Sequence, residues 1–412
     1  MSVAPARRAA YEVVVRTFEE DAYADRAFVR AAAGLDARDR MLAQRLAYGT
    51  VQRVRTLDHG IEALGRRPLR KLDRPVRAAL RLGAYQLAFL DGVPVYAAVN
   101  ESVELVREAG LQRAVAFTNA VLRRLTEGLR PLLAALPEGT PAEAALRHSY
   151  PDWVAETWWS ELGAEEALAL MRAQNEPPET VVRVNRRRTA ELEGEPDADL
   201  SDALRVGRVD EAALAGGLVW PQSRGSQLAG LAVGSREGER TLDLCAAPGG
   251  KATQLAGEVV AVEKHRGRAR ELEANCARLG ATNVRVVCAD GLALPPELDR
   301  FDRALVDAPC SGLGVLAARP DLRWRGRPLP ELQLALVRAA AERVRPGGTL
   351  VYSACTINPA ENEGVVEASG LEVDETLASE WPQFRHERRP EFLRTLPHRH
   401  GTSGFFIARL RV

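Results

Sequence analysis

Thr241-Leu-Asp-Leu-Cys-Ala-Ala-Pro-Gly-Gly-Lys251 decides how this chain is read. The apolar run predicts a short strand, the small residues with Pro and paired Gly predict a turn, and a helix is expected from about Ala252. A strand that ends in an acidic residue and enters a glycine-rich turn suits a cofactor with a polar, charged tail. Glycine lets a ligand approach the backbone, and the turn's N–H groups face it. The spacing is not G-x-x-x-x-G-K-[ST], because only Gly249-Gly250-Lys251 is present and Thr253 comes a residue late, which disfavours a phosphate-binding P-loop.

C-terminal to this stretch the pattern repeats. Short apolar strands are expected at Arg240–Leu244, Glu258–Glu263, Val284–Cys288, Phe301–Asp307 and Thr349–Ser353. Helical periodicity falls between them, with Ala269, Leu272, Cys276 and Leu279 on one face and Leu332, Leu336, Ala339, Ala340 and Val344 on another. Alternating strands and helices imply a parallel, doubly wound α/β sheet. The terminal Gly404-Phe-Phe-Ile-Ala-Arg-Leu-Arg-Val412 has no following helix and fits a hairpin partner or antiparallel edge strand.

Ligands of such sheets bind beyond the carboxyl ends of the strands. The residues expected there are Cys245 to Lys251, then Glu263, an acid suited to two ribose hydroxyls, then Asp290-Gly291, a candidate adenine contact. Asp307-Ala-Pro-Cys310 and Ser353-Ala-Cys355-Thr356 close the fourth and fifth strands. Acidic strand ends in sheet order, with a glycine turn, point to a nucleoside cofactor. The two cysteines at neighbouring strand ends add nucleophilic chemistry. C5 of cytosine is too weak a nucleophile to take a methyl group directly. It becomes enamine-like when a thiolate adds to C6 and an acid protonates N3, after which a base removes the C5 proton and the thiolate leaves. Residue type and position do not choose between Cys310 and Cys355. A Pro-Cys dipeptide is also the nucleophile of DNA cytosine methyltransferases, which favours Cys310. Cys276 and Cys288 are expected in the core.

N-terminal to the opening stretch the text changes character. Residues 5 to about 127 read as helices, with Leu111, Val115, Thr118, Leu122 and Leu125 on one face and Val76, Leu80, Gly83, Leu87 and Leu90 on another. Breaks at Gly34, Gly65-Arg-Arg-Pro68, Gly92-Val-Pro94 and Gly110 give short loops. The region 131–220 is helical and aromatic at first (Tyr150, Trp153, Trp158, Trp159), where packing is the expected role. It then turns into a breaker followed by an alternating strand within Asn175–Asn185, a basic Arg186-Arg-Arg188 and an acidic loop over 191–202.

Length and composition agree with a multidomain globular protein: 412 residues, 46% apolar, with no apolar run long enough to span a bilayer. The N-terminus lacks the apolar core of a secretory signal. Five cysteines, an odd count without C-x-x-C or Cys/His clusters, fit reduced thiols in a cytoplasmic protein and argue against bound metal. Net charge is zero, but residues 1–135 hold 22 Lys and Arg against 15 Asp and Glu, which hints at nucleic acid.

Specific strings sharpen this. Ala9-Ala-Tyr-Glu-Val-Val14, Pro94-Val-Tyr-Ala-Ala-Val-Asn-Glu-Ser-Val103 and Phe117-Thr-Asn-Ala-Val-Leu-Arg-Arg124 resemble the NusB family of RNA-binding helical domains. Asp243 to Lys251, Asp307-Ala-Pro-Cys-Ser-Gly-Leu-Gly314, Arg319-Pro-Asp-Leu-Arg-Trp324, Tyr352-Ser-Ala-Cys-Thr356 and Asn358-Pro-Ala-Glu-Asn-Glu363 resemble the motif series of RNA cytosine-5 methyltransferases. Together they resemble the Sun/Fmu/RsmB branch, which methylates small-subunit rRNA with S-adenosylmethionine. The resemblance implies a NusB-like bundle over 1–130, a linking region over 131–220, and a Rossmann-like catalytic domain over 221–412. It implies that Cys355 adds to C6, that Cys310 assists product release, and that Asp307 holds or protonates the base at N3. The cofactor site would comprise Cys245, Ala246, Ala247, Pro248, Gly249, Gly250, Lys251, Glu263, Asp290 and Asp307. A monomer acting on free or partly assembled 16S rRNA is expected, with no membrane partner. The rivals are a transfer-RNA cytosine-5 methyltransferase, a DNA methyltransferase and a non-catalytic RNA-binding protein.

The chain departs from the family pattern at Ala354, Glu263, Ser403 and Trp220–Leu228, and no departure removes a catalytic group. For RNA contact, the basic strip with one aromatic at Arg319, Arg323, Trp324 and Arg325 suits a splayed-out base. Arg183–Arg188 and Arg385–His400 are further basic stretches.

Overall fold

The computed structural model describes residues 3–412. The chain forms two compact units, Met1–Asn175 with Leu316–Arg325, and Glu176–Val315 with Gly326–Val412. The boundary therefore falls inside the region expected to be a linker. Its helices up to Ala173 belong to the first unit, and its strands with the short helix Glu211–Ala215 to the second.

The first unit is helical. Its main helices are Pro5–Glu19, Ala24–Ala31, Ala37–Gln52, Val54–Gly65, Arg74–Phe89, Val95–Glu108 and Gln112–Ala134, followed by three shorter ones between Pro141 and Ala173. The predicted faces meet in one core: Val76, Leu80 and Leu87 pack with Leu122, Leu125 and Leu129, all buried. Tyr150 and Trp158 are fully buried edge to face, 5.2 Å apart, so these two aromatics serve packing. Leu316–Arg325 returns to this unit from far along the chain, and its Leu322–Arg325 turn is helical.

The second unit holds two sheets. A small antiparallel sheet contains β1 (Val181–Val184), β2 (Glu195–Pro196), β3 (Ala203–Arg205) and β4 (Val219–Pro221), in the order β2-β3-β1-β4. The large sheet contains β5 (Arg240–Leu244), β6 (Glu258–Glu263), β7 (Val284–Cys288), β8 (Phe301–Asp307), β9 (Val344–Ala354), β10 (Glu372–Val373), β11 (Leu393–Thr395) and β12 (Phe405–Arg411). Its order is β10-β12-β9-β8-β5-β6-β7, with β11 paired to β12. The run β7 to β9 is parallel, and β12 is antiparallel to β9. The sheet carries helices as expected at Arg266–Leu279 and Pro330–Ala341.

Two expectations are corrected here. The last strand is interior, because β10 and β11 pair with it on the side away from β9. The stretch after Lys251 is a single 3-10 turn, Ala252–Gln254, and the first long helix of the sheet comes in the next crossover, between β6 and β7. The chain leaves β5 towards β6 on one side, and β8 lies on the other. This reversal opens a crevice beyond the carboxyl ends of β5 and β8.

Candidate active site

The turn after β5 is held from behind. Ala246 N donates to Val262 O at 2.9 Å, Arg268 donates to Ala247 O at 2.7 Å, and Asn275 donates to Pro248 O at 3.0 Å. Cys245 has a φ of +71° and Gly249 one of +108°. The sequence reading gave the glycines to ligand approach, but packing also demands them. A Cβ on Gly249 would stand 2.7 Å from Leu272, and one on Gly250 would stand 2.7 Å from the Trp220 indole nitrogen. Burial pushes the Cys245 thiol up to about 12, with the Asp243, Asp307 and Glu263 carboxylates adding to it, so this cysteine is no nucleophile.

Acids line the neighbouring strand ends as expected. Glu263 closes β6 and is buried, and its Oε1 accepts from His265 N at 2.8 Å. Asp290 follows β7, half-exposed, and pairs with Lys264 at 2.8 Å; that bond holds its carboxyl below the usual range. Asp307 closes β8. Lys251 Nζ donates to its Oδ2 at 2.6 Å and Ser353 Oγ to its Oδ1 at 2.8 Å, so three elements meet at one carboxylate. Lys251 Nζ also lies 5.1 Å from the Phe405 ring centre. Beneath them Asp243 is 1% exposed, and neither of its carboxyl oxygens has a hydrogen-bond partner. Burial, with the charge of Asp307 adding, pushes it up to about 8.

The two cysteines meet. Cys310, three residues past the end of β8, and Cys355, directly after β9, have sulfurs 3.4 Å apart. The contact between the two sulfurs, aided by Lys251, holds Cys355 below the ordinary thiol value against the opposing effects of burial and Asp307. Cys310 is held well above it by the same contact, by burial, and by the charges of Cys355 and Glu361. The structure thus supplies an asymmetry that residue type did not: the Cys355 thiol is held below the ordinary thiol value and the Cys310 thiol beside it well above. Cys276 is buried as expected, whereas Cys288 is exposed, because its strand lies at the sheet edge.

One buried residue carried no role in the sequence reading. Glu361 is completely buried, and its carboxylate gathers donors from both cysteine loops and from the start of the 330–341 helix. Its only sequence signal was its place in the Asn358–Glu363 string. Its donors lie up to 50 residues away, beyond any local pattern.

Of the residues expected to touch RNA, Arg323 turns inward, while Arg319, Trp324 and Arg325 stay partly exposed. Arg323 is fully buried in the helical unit, where its guanidinium donates to Gln52 O (3.1 Å), Ser149 O (2.9 Å), Asn175 Oδ1 (2.9 Å) and Tyr150 OH (3.1 Å). It lies 3.8 Å from the Tyr150 ring centre. Trp324 gives its indole N–H to Val51 O at 2.7 Å. Arg325 donates to Asp21 O at 2.6 Å, and Arg319 lies 3.4 Å from Asp25. Alternating Arg and Trp here answers to unpaired helix-end carbonyls, and Arg323 is corrected to a packing residue. Arg183, Arg187 and Arg188 likewise fasten the small sheet to the large one, through Thr253, Asn283 and Arg278 O. The uncompensated positive charge of the helical unit lies elsewhere. Arg66, Arg67, Arg70, Lys71 and Arg113 are exposed, and among the described residues none of them forms an ion pair, whereas Arg74 and Arg77 share Glu19. Arg67, Lys71 and Arg113 border a groove floored by Leu72, Val76 and Phe117.

Comparison with known proteins places these geometries. The family model described as 16S rRNA methyltransferase RsmB/F matches residues 231–411, and the NusB family model matches residues 4–127. The chain is 36% identical to the "Probable ribosomal RNA small subunit methyltransferase B" of Synechocystis, covering 98% of this chain and 99% of that protein. It is 37% identical to ribosomal RNA small subunit methyltransferase B of Thermus thermophilus, covering 91% and 89%. Among solved structures, PH0851 shares the fold over the whole of both chains, with a TM-score of 0.82 at 24% identity. NSun6 from Pyrococcus horikoshii, solved with SFG, is 26% identical with a TM-score of 0.54, over 64% of this chain and 98% of that one.

Proposed function

Because this chain belongs to the 16S rRNA methyltransferase RsmB/F family, whose members use S-adenosylmethionine, we propose that it methylates C5 of a cytosine in 16S rRNA through a covalent cysteine adduct. The observation that carries this reading is the thiol pair at the ends of two adjacent parallel strands, 3.4 Å apart, with Cys355 held below the ordinary thiol value.

The cofactor fits the donor set beyond β5 to β8. The Cys245–Lys251 turn, Glu263 and Asp290 would hold it, with Asp307 at the junction of cofactor and base, and it supplies an electrophilic methyl group. The chain's own residues do the rest. A thiolate at Cys355 forms a bond to C6, the C5–C6 π pair shifts to C4–C5, and the C4–N3 π pair takes up a proton at N3, so that C5 becomes the enamine-like nucleophile. Asp307, fixed by Lys251 and Ser353, holds the N3 edge of the base. After methyl transfer a base takes the C5 proton, the C5–C6 double bond re-forms as the Cys355–C6 bond breaks and returns its electron pair to the sulfur, with Cys310 assisting release, and N3 gives back its proton. Support for RNA contact by the helical unit comes from the unpaired cluster at Arg66–Lys71 and Arg113.

The substrate is tested by incubating the protein with a radioactive methyl donor and, separately, free 16S rRNA, assembled small subunits, transfer RNA and DNA. Label is expected at C5 of a cytosine in 16S rRNA, and label confined to transfer RNA or DNA would replace this reading.

A further inference from the structure

Glu361 stands in an unusual position for a carboxylate. It is completely buried, and among the described residues it forms no ion pair. Its stabilisation comes from neutral donors. Oε1 accepts from Ser311 N (2.9 Å), Leu329 N (3.1 Å) and Gln333 Nε2 (3.3 Å). Oε2 accepts from Thr356 Oγ1 (3.3 Å), Asn358 Nδ2 (3.3 Å) and Ser311 Oγ. Ser311 and Thr356 are the residues directly after Cys310 and Cys355, and their hydroxyls also meet each other at 2.7 Å. Gln333 gives a further bond to Pro309 O at 3.0 Å, on the other side of Cys310. The Tyr352 hydroxyl donates to the Glu361 backbone carbonyl, which fixes the end of β9 from below. Side-chain and backbone donors from both thiol loops thus converge on one carboxylate. Neutral donors can hold a buried charge when each is pre-aimed, and such networks are rigid.

We propose that Glu361 is the positioning residue of the thiol pair: it clamps the loops after β8 and β9 to one another and thereby keeps Cys310 and Cys355 in their unequal roles. This rests on the cytosine-5 reading for the meaning of the two roles. The geometry has a second consequence. The negative charge of Glu361 acts on Cys310 and adds to the reasons its proton stays on. Removing that charge should even out the two thiols, whereas loosening the fold in general should expose both alike.

Glu361→Gln is the informative change. Two of the Oε1 donors are backbone N–H groups that cannot reverse, so the amide oxygen must take that side. The amide NH2 then faces Oε2's partners, where two hydroxyls can turn round and Asn358 cannot. The protein should fold, with the Asn358 tether lost and the hydroxyl tethers reversed. Limited alkylation with iodoacetamide of the RNA-free protein, read by peptide mass spectrometry, reports the labelling of Cys355 relative to Cys310. Wild type should favour Cys355, and in Glu361→Gln that preference should fall by about tenfold or more, alongside a similar loss in kcat with the KM for S-adenosylmethionine unchanged. Ser311→Ala and Thr356→Val, each lacking one tether, should shift the ratio the same way and serve if Glu361→Gln does not fold. Unchanged labelling and kcat in the folded variants would overturn the proposal. The labelling needs no substrate, so it still reports on Glu361 if the cytosine-5 reading itself fails in turnover experiments.

Discussion

Cys310 and Cys355 are 45 residues apart in the chain, and their sulfurs are 3.4 Å apart in space. The register of β8 on β9 does this, because Asp307 sits opposite Ser353 and each cysteine follows its strand within a few residues. Their mutual contact pushes Cys355 down and Cys310 up from the ordinary thiol value, and Lys251, Asp307 and Glu361 supply the charges around them.

Arg323→Ala should unfold the helical unit more readily. The guanidinium serves several backbone carbonyls with no water to replace it, so its loss should cost more than about 3 kcal/mol, read as a lower urea midpoint. Arg323→Lys should not rescue, because an ammonium cannot reproduce the planar fork. A stable variant with weakened RNA binding would instead restore the surface role expected from sequence.

The exposed cluster is expected to behave oppositely. Replacing Arg66, Arg67, Arg70 and Lys71 with Ala should leave stability and S-adenosylmethionine binding intact. It should flatten the salt dependence of RNA binding, by about 0.7–0.9 in log–log slope for each phosphate no longer neutralised. An unchanged slope would remove this surface from the RNA path.

Asp243 gives a pH prediction. Its carboxyl is raised from 3.8 to about 8 in the folded protein, so between those values the native state holds a proton that the unfolded chain has lost. The contribution is complete below pH 3.8 and disappears as pH rises towards 8. It should amount to several kcal/mol, on the order of 1.4 kcal/mol for each pH unit that separates the folded and unfolded values. In the ligand-free protein, Asp243→Asn should flatten the fall in melting temperature between about pH 5 and about pH 8. A wild type and variant with parallel profiles would show that the carboxyl is not raised.

Gly250→Ala tests the packing role of the turn. The new Cβ meets the Trp220 indole, so stability should drop by about 1–3 kcal/mol and cofactor affinity should fall with it. Trp220→Ala in the same chain should recover part of the loss, and strict additivity would contradict the contact.

Much of the second unit was legible because strand ends carry local signals. The alternation of apolar runs and helical faces marked β5 to β8 residue for residue, and their carboxyl ends carry Lys251, Glu263, Asp290 and Asp307. The choice of Cys355 came from family resemblance, since its environment is made by Cys310, Lys251 and Asp307 folding onto it. Long-range contacts explain the misses. Arg319 to Arg325 reads as a solvated basic strip until the chain is seen returning to the helical unit, where unsatisfied carbonyls of Gln52 and Ser149 await Arg323. Glu361 has the same character: an acid in a short 3-10 turn, whose importance lies in donors scattered from Ser311 to Asn358.

The division of labour between the thiols is tested most directly by wild-type, Cys355→Ser and Cys310→Ser proteins incubated with 16S rRNA and S-adenosylmethionine, then run on a denaturing gel. Cys355→Ser should bind S-adenosylmethionine yet transfer no methyl group and form no adduct. Cys310→Ser should accumulate a slow-migrating protein–RNA species. Turnover by Cys355→Ser, or an adduct that survives in Cys355→Ser and vanishes in Cys310→Ser, would contradict the assignment.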